Sequence, residues 1–289
     1  MIAGVSSYSF EKALQAGEIN IMEIPQKASD MGFLAIDFID GHIERDAEPF
    51  IMAEKLKEKC RQAGLVISNY AVSGNFFRTP DYKDEVERLK QKVDIAVALG
   101  ASNMRHDIAY GLPQGGKIRT FYDALPILSA GTREVSEYAA KKGIKTTSEN
   151  HGFFMQDSTR LELFVSQVTC ENYGLLIDIG NFACVDEDPV IAVSRLAPLA
   201  FHVHVKDFII KKGGVSANIK EQGWFSTRGG NALRGTVLGH GNIPVEQCLR
   251  ILKAAGYNGA VALEFEGIES ALIAIEWGAK NLIKMLKEL

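Results

Sequence analysis

Four short segments end an apolar run on a side chain able to bind a cation or move a proton: Thr146-Thr147-Ser148-Glu149, Leu175-Leu176-Ile177-Asp178, Phe201-His202-Val203-His204 and Val261-Ala262-Leu263-Glu264. An acid that closes a buried strand is costly to keep ionised without a partner. A divalent cation shared by Glu149, Asp178, His204 and Glu264 is the natural one. Three oxygen donors and one nitrogen suit Mn²⁺, Mg²⁺, Co²⁺ or Zn²⁺ with positions left open for substrate; they do not suit a closed structural zinc site. His202 and His204 face the same way by the two-residue period of a strand. His204, further along, reaches the site, and His202 sits beneath it as a hydrogen-bonded neighbour. Glu264 and Glu266 share a face in the same way, so Glu266 stays open as an alternative.

A weaker tier of polar residues surrounds these four. His151 follows Glu149 by two residues, Asn181 follows Asp178 by three, and Lys206 follows His204 by two. Lys206 reads either as an ordinary loop cation or as a group that holds a substrate hydroxyl, carboxylate or phosphate. Arg105 and His106 at the end of another apolar run carry the same two readings, and with His151, Asn181 and Lys206 they complete the substrate-binding candidates. Asp37 and Asn69 occupy rim positions that a structural hydrogen bond explains equally well. The polar stretch 222–241, with Arg228, Arg234 and His240, is long for a strand-to-helix connection and reads as a substrate-facing loop.

The elements that must position these residues alternate along the chain. Strand candidates lie at 2–7, 34–38, 66–70, 101–105, 145–149, 174–178, 201–205 and 260–264. Helix-period segments lie between them, at 48–63, 81–99, 119–142, 158–168, 188–196, 245–255 and 269–289. Gly64, Gly100, Gly143 and Gly256 close four of these segments just before the next strand, as left-handed C-caps do. Strand–helix alternation with short returns implies a parallel sheet, and eight units favour closure into a (β/α)8 TIM barrel. Such a barrel commonly takes about 250 residues, so the expectation is one domain over residues 1–289. Its chemistry belongs at the C-terminal ends of the strands. All six histidines fall at strand ends or just after strands, none in a helix-period segment. Ser6-Ser7-Tyr8-Ser9 stands where a dinucleotide-binding glycine fingerprint would follow the first strand.

The net charge of −4 and pI near 5.9 lack the basic balance of a nucleic-acid binder. The first residues show no basic segment followed by a long apolar one, so no signal peptide is read, and no apolar run approaches a membrane span. Cys60, Cys170, Cys184 and Cys248 are scattered, as free thiols in a reducing cytoplasm are. A cytoplasmic protein acting on a small molecule is therefore expected.

Strand ends reading Ser-Glu-Asn-His-Gly, Leu-Ile-Asp-Ile-Gly-Asn, His-Val-His-Val-Lys-Asp and Ala-Leu-Glu resemble the xylose isomerase-like TIM-barrel superfamily of sugar and sugar-phosphate isomerases and epimerases, inosose dehydratase and endonuclease-IV-like enzymes. The resemblance runs through nearly the whole chain. It implies a divalent ion on Glu149, Asp178, His204 and Glu264, selecting Glu264 over Glu266, and Glu149 and Glu264 as an acid/base pair. It further implies a metal-dependent isomerase or epimerase of a sugar or sugar phosphate, working through an enediolate. The alternative is a lyase that eliminates water from a keto-sugar or cyclitol, as inosose dehydratase does. Many epimerases of the superfamily carry His where Asn181 stands, which gives the lyase weight. An endonuclease-like activity would need more metal ligands and a basic face. Barrels of this kind often pair through their helices, so a homo-oligomer stays open.

Overall fold

A computed structural model describes residues 1–214 and 222–289. Eight parallel strands close a barrel: β1 (Ile2–Ser6), β2 (Ala35–Ile39), β3 (Val66–Val72), β4 (Asn103–His106), β5 (Lys145–Glu149), β6 (Tyr173–Asp178), β7 (Ala200–Val205) and β11 (Ala260–Leu263). Neighbours in sequence are neighbours in the barrel, and β11 closes it between β7 and β1. All eight strand expectations are met, with ends displaced by one or two residues.

The outer layer follows the helix-period segments. Its main helices are α4 (Pro49–Gln62), α5 (Tyr82–Leu99), α6 (Phe121–Lys141), α7 (Ser158–Val168), α9 (Pro189–Leu196), α10 (Val245–Ala254) and α11 (Ala271–Lys287). Local chemistry sets their ends. Thr120 Oγ1 accepts from Asp123 N at 3.2 Å while Asp123 Oδ2 accepts from Thr120 N at 2.9 Å, a capping box that starts α6. Gly64, Gly100, Gly143 and Gly256 all have positive φ, between 72° and 92°, as expected of left-handed caps. Short helices α1 (Glu11–Gln15), α2 (Ile24–Asp30), α3 (Asp40–Ile43) and α8 (Asn181–Cys184) fill loops outside the helix-period segments.

Each strand sorts its residues between two layers. On β5, Thr146 faces outward, its hydroxyl 2.6 Å from Ser136 Oγ on α6, while Thr147 faces inward and accepts from Asn103 Nδ2 at 3.0 Å. The outward positions build the apolar seam against the helices, with Val5, Ile36, Met104, Ile177, Val203 and Val261 essentially buried. The inward positions toward the C-terminal end are polar, and they too are buried: Asp37, Asn69, Asn103, Thr147, Glu149, Asp178, His202 and His204. A polar interior is stable only where its groups are paired, so the barrel end must be a network.

One departure from expectation lies in the stretch 222–241. It contributes two strands, β9 (Trp224–Ser226) and β10 (Ala232–Thr236), which join β8 (Asp207–Lys211) upstream in an antiparallel three-stranded unit, ordered β8-β10-β9. Polar composition suggested a loop, but Phe225 and Leu233 alternate with the polar residues, and Phe225 packs on Phe208 with ring centroids 5.6 Å apart. Arg228 joins Asp157 Oδ2 at 3.4 Å and the Phe153 carbonyl, fastening this unit to the segment after β5. Arg234 lies over the Trp224 ring, and His240 lies against Trp277 of α11.

Asp207 anchors the unit to the barrel. Its Oδ1 accepts from the backbone of Phe208 at 2.9 Å and Ile243 at 3.0 Å; its Oδ2 accepts from Gly239 at 2.9 Å and Gly241 at 2.8 Å. Cys60, Cys184 and Cys248 are buried free thiols, and Cys170 is a partly buried one. Among the described residues no helix is long and apolar enough to cross a membrane. A buried donor stripped of its acceptor costs about 1–3 kcal/mol. Asp207→Ala, which strips two buried donors and two more exposed ones, is therefore expected to lower the unfolding free energy in urea by about 2–6 kcal/mol, and Asp207→Asn, which keeps one acceptor oxygen, by less.

Candidate active site

Strand register carries the four chemically promising residues to one place. In the barrel Asp178 lies beside His204, His204 beside Ala262, and Glu149 beside Leu176. Counting in steps of two along each strand turns Glu149, Asp178, His204 and Glu264 all to the inside. One donor atom from each lies within 4.8 Å of the others.

Each donor is aimed by a neighbour. Asn150 grips the backbone of Asp178 from both sides, donating to its carbonyl at 2.8 Å and accepting from its N–H at 2.9 Å. Asp178 Oδ1 accepts from the N–H groups of Gly180 at 2.9 Å and Asn181 at 3.3 Å, which leaves Oδ2 turned into the cluster without a hydrogen bond. Glu149 Oε2 accepts from Arg105, whose Nε lies at 2.6 Å, and Oε1 accepts from Asn181 Nδ2 at 2.9 Å. Lys206 extends over Gly180, where a Cβ would come within 2.6 Å of its Cγ, so that position needs glycine. The ammonium lies 2.9 Å from Asp178 Oδ2, 2.8 Å from Glu264 Oε2 and 2.7 Å from Glu266 Oε1.

Beneath the cluster, Asp37 of β2 is completely buried. Its Oδ2 lies 2.6 Å from His202 Nε2 and 2.8 Å from His204 Nε2, and its Oδ1 accepts from Ser68. His204 Nδ1 has no hydrogen-bond partner and lies 3.7 Å from Glu264 Oε1. At the rim, Asp107 accepts from Tyr110 at 2.8 Å, meets Arg105 at 3.4 Å and pairs with His151 Nδ1 at 3.1 Å.

Charges this close set one another's protonation. Burial works against ionisation of Glu149, but Arg105, His151 and His204 outweigh it and hold its pKa below the usual range. Burial likewise opposes ionisation of Glu264, yet Lys206 and His204 bring it down to about 2. Asp178 goes the other way: burial, reinforced by Glu264 and Glu149, lifts it to about 6 despite Lys206. Burial alone would lower the His204 imidazole, but Asp37, Glu264 and Glu149 raise it to about 9. His151 is raised because Asp107 overcomes the burial penalty.

The sequence candidates thus separate. Glu149, Asp178, His204 and Glu264 converge; Arg105, Asn181 and Lys206 touch them directly; His151 stands at the mouth with its side chain 43% exposed. His106 does not join them and is withdrawn as a substrate-binding candidate. It follows Arg105 on β4, so the strand period turns it outward, where its ring meets Phe76 edge-on at 6.0 Å. Glu266 reaches Lys206 and stays outside the four. Two residues carry more of the site than their place in the sequence suggests. Asp37 had a signal, an acid inside the apolar run Ala-Ile-Asp-Phe-Ile; Asp107 had only its place after Arg105 and His106.

Two buried donor atoms point into a cluster of three carboxylates and an imidazole: His204 Nδ1, which has no hydrogen-bond partner, and Asp178 Oδ2, which meets the shared Lys206 ammonium. That donor set fits a divalent cation. The family model described as "Xylose isomerase-like TIM barrel" matches residues 25–289, and the chain belongs to that family. A curated relative, inosose dehydratase of Geobacillus thermodenitrificans, is 24% identical over 220 residues, covering 73% of this chain and 72% of the relative. Among solved structures, the IOLI protein with a bound zinc atom superposes with a TM-score of 0.76 at 15% identity, covering 100% of this chain and 99% of that one. D-psicose 3-epimerase of Clostridium cellulolyticum H10, solved with D-tagatose, superposes with a TM-score of 0.73 at 16% identity and covers 98% of both chains. At these identities the structural likeness speaks to the fold.

Two outcomes follow from the cluster. In a chelator-competition titration with Mn²⁺ or Zn²⁺, the wild-type chain is expected to take up one ion. Asp178→Asn and Glu264→Gln should each weaken binding by more than the ~10–100-fold a residue behind a ligand is worth, and Glu266→Gln should still bind. In urea melts of chelator-treated protein, Lys206→Met is expected to cost about 3–5 kcal/mol, the penalty for leaving buried charge without its partner.

Proposed function

We propose that the chain is a divalent-metal-dependent isomerase or epimerase of a ketose or related polyhydroxylated ketone. The observation that carries this reading is the convergence of Glu149, Asp178, His204 and Glu264, within 4.8 Å, at the C-terminal mouth of the barrel. A divalent ion held by these four supplies Lewis acidity, drawing electron density from a ketone oxygen and so acidifying the neighbouring C–H bond.

The chain's own groups would then move the proton. Glu149 and Glu264 are ionised carboxylates from strands on either side of Asp178 and His204, each steadied by a cation, Arg105 or Lys206. One takes the proton from the carbon beside the carbonyl, and the C–H electron pair moves toward the carbonyl oxygen. Return of a proton from the opposite side inverts that carbon, which is epimerisation; its return to the former carbonyl carbon, with the proton of the adjacent hydroxyl passing to the former carbonyl oxygen, shifts the ketone, which is isomerisation. Lys206 and Asn181 lie where a substrate hydroxyl can replace one of their carboxylate contacts.

A second reading, elimination of water, is favoured by one specific feature. His151 stands at the mouth with Nδ1 held by Asp107 and with its pKa raised, so it is poised to give a proton to a departing β-hydroxyl. The inosose dehydratase relative points in the same direction.

The test is to load chelator-treated protein with Mn²⁺, Co²⁺, Mg²⁺ or Zn²⁺ and incubate it with ketoses and cyclitol ketones in D₂O. Deuterium at the carbon next to the carbonyl, with the carbon skeleton and hydroxyl count retained, is the expected result, and Glu149→Gln and Glu264→Gln should each abolish it. An enone absorbing in the ultraviolet, sensitive to His151→Phe, would favour elimination instead. No exchange and no enone with any candidate would sink both readings.

A further inference from the structure

The four-residue set does not explain why a fully buried carboxylate, Asp37, stands directly behind it on the opposite side of the barrel. Asp37 comes from β2, whereas His202 and His204 come from β7, so the contact spans the barrel interior and 167 residues of sequence. One oxygen, Oδ2, receives both imidazoles through their Nε2 atoms, at 2.6 and 2.8 Å. An ionised carboxylate offers only acceptor sites, so both histidines must present a proton at Nε2. For His204 this decides which face of the ring meets the cluster. Nδ1 is left, buried and without any hydrogen-bond partner, 3.7 Å from Glu264 Oε1.

We propose that Asp37 is a positioning residue that holds His204 in its Nε2–H form and so delivers Nδ1 as the metal donor. A carboxylate behind a ligating imidazole fixes ring orientation and raises the basicity of the donor nitrogen. His202 shares the same oxygen and keeps Asp37 in place; its ring packs edge-on against His204, with centroids 5.4 Å apart, but it is not one of the four donors. Asp37, His202 and His204 also come close enough to suggest a second cation site. The short Nε2–oxygen distances and the full burial of all three side chains instead describe proton-bearing hydrogen bonds, with no approach for an ion.

This inference rests on the proposal that Glu149, Asp178, His204 and Glu264 hold a divalent ion, and the experiment separates the two. Wild-type chain labelled with ¹⁵N at histidine and loaded with ¹¹³Cd²⁺ is expected to show cadmium coupling at Nδ1 of one histidine that keeps a slowly exchanging Nε2 proton. His204→Gln should remove that signal. Coupling at Nε2 overturns the inference while leaving the metal site intact; the absence of any bound cadmium, manganese or zinc overturns the metal site and the inference with it. As a second measurement, Asp37→Asn should weaken Zn²⁺ binding by about 10–100-fold in chelator competition. His202→Gln, which disturbs the same buried layer but leaves the Asp37–His204 contact, should weaken binding much less. Equal losses from Asp37→Asn and His202→Gln would reduce Asp37 to a structural role and overturn the proposal.

Discussion

Negative charge confined at one end of a closed barrel is the constraint from which the rest of this molecule follows. Asp37, Asp107, Glu149 and Asp178 are all buried, with Glu264 and Glu266 beside them. Desolvating that many carboxylates would be prohibitive without positive partners. The barrel provides Arg105 for Glu149 and Asp107, Lys206 for Asp178, Glu264 and Glu266, and two imidazoles for Asp37. Even so the balance is incomplete: burial together with Glu264 and Glu149 lifts Asp178 to about 6, and its inward oxygen shares the Lys206 ammonium with Glu264 and Glu266. The network is arranged around a place that still calls for positive charge.

The architecture makes such a concentration possible by dividing labour between the two faces of each strand. Outward residues supply the apolar seam with the helices, and this seam stabilises the fold independently of anything at the mouth. Inward residues are thereby free to be polar. The antiparallel unit of β8, β9 and β10 extends the same division beyond the barrel rim: Phe208, Phe225 and Leu233 face the strand ends, and Gly235 lets the unit approach the backbone of Glu266 within contact distance. Asp207, next in sequence to Lys206, ties that unit down through four backbone N–H groups. The cation that serves three carboxylates is therefore followed directly by a residue held through four backbone N–H groups.

What the sequence makes legible is whatever local periodicity encodes. The eight strands, the seven long helices and the four glycine caps are all local patterns, and each appears close to its expected position. The residues that end strands on Glu, Asp and His are legible for the same reason. His106 shows the limit of reading a strand end as a point: Arg105 and His106 are adjacent, so only one can face the barrel interior, and the two-residue period already demanded a choice. Asp37 is harder. Its acid stands plainly inside an apolar run, but its partners lie 165 and 167 residues away, and only barrel closure brings them together. The small antiparallel sheet was hidden by composition, because its polar outer face and turns outnumber the apolar residues it buries.

The two glutamates flanking the cluster are held in physically different ways, and this asymmetry bears on how a proton can move. Glu149 is fixed by the planar fork of Arg105 and by Asn181, while Arg105 is itself restrained by Asp107 and the Val72 carbonyl. A guanidinium so placed is permanently charged and has no room to rotate away. Glu264 is held by an ammonium on a flexible stem that has a second carboxylate, Glu266, at 2.7 Å. Lys206 can shift its weight toward Glu266, which loosens its hold on Asp178 and Glu264 together and raises the proton affinity of Glu264. Arg105 has no comparable alternative, because turning to Asp107 would leave Glu149 with only a neutral amide. Of the two faces of the site, the one bordered by β11 is therefore the labile one, and the one bordered by β4 and β5 is the rigid reference against which a substrate would be oriented.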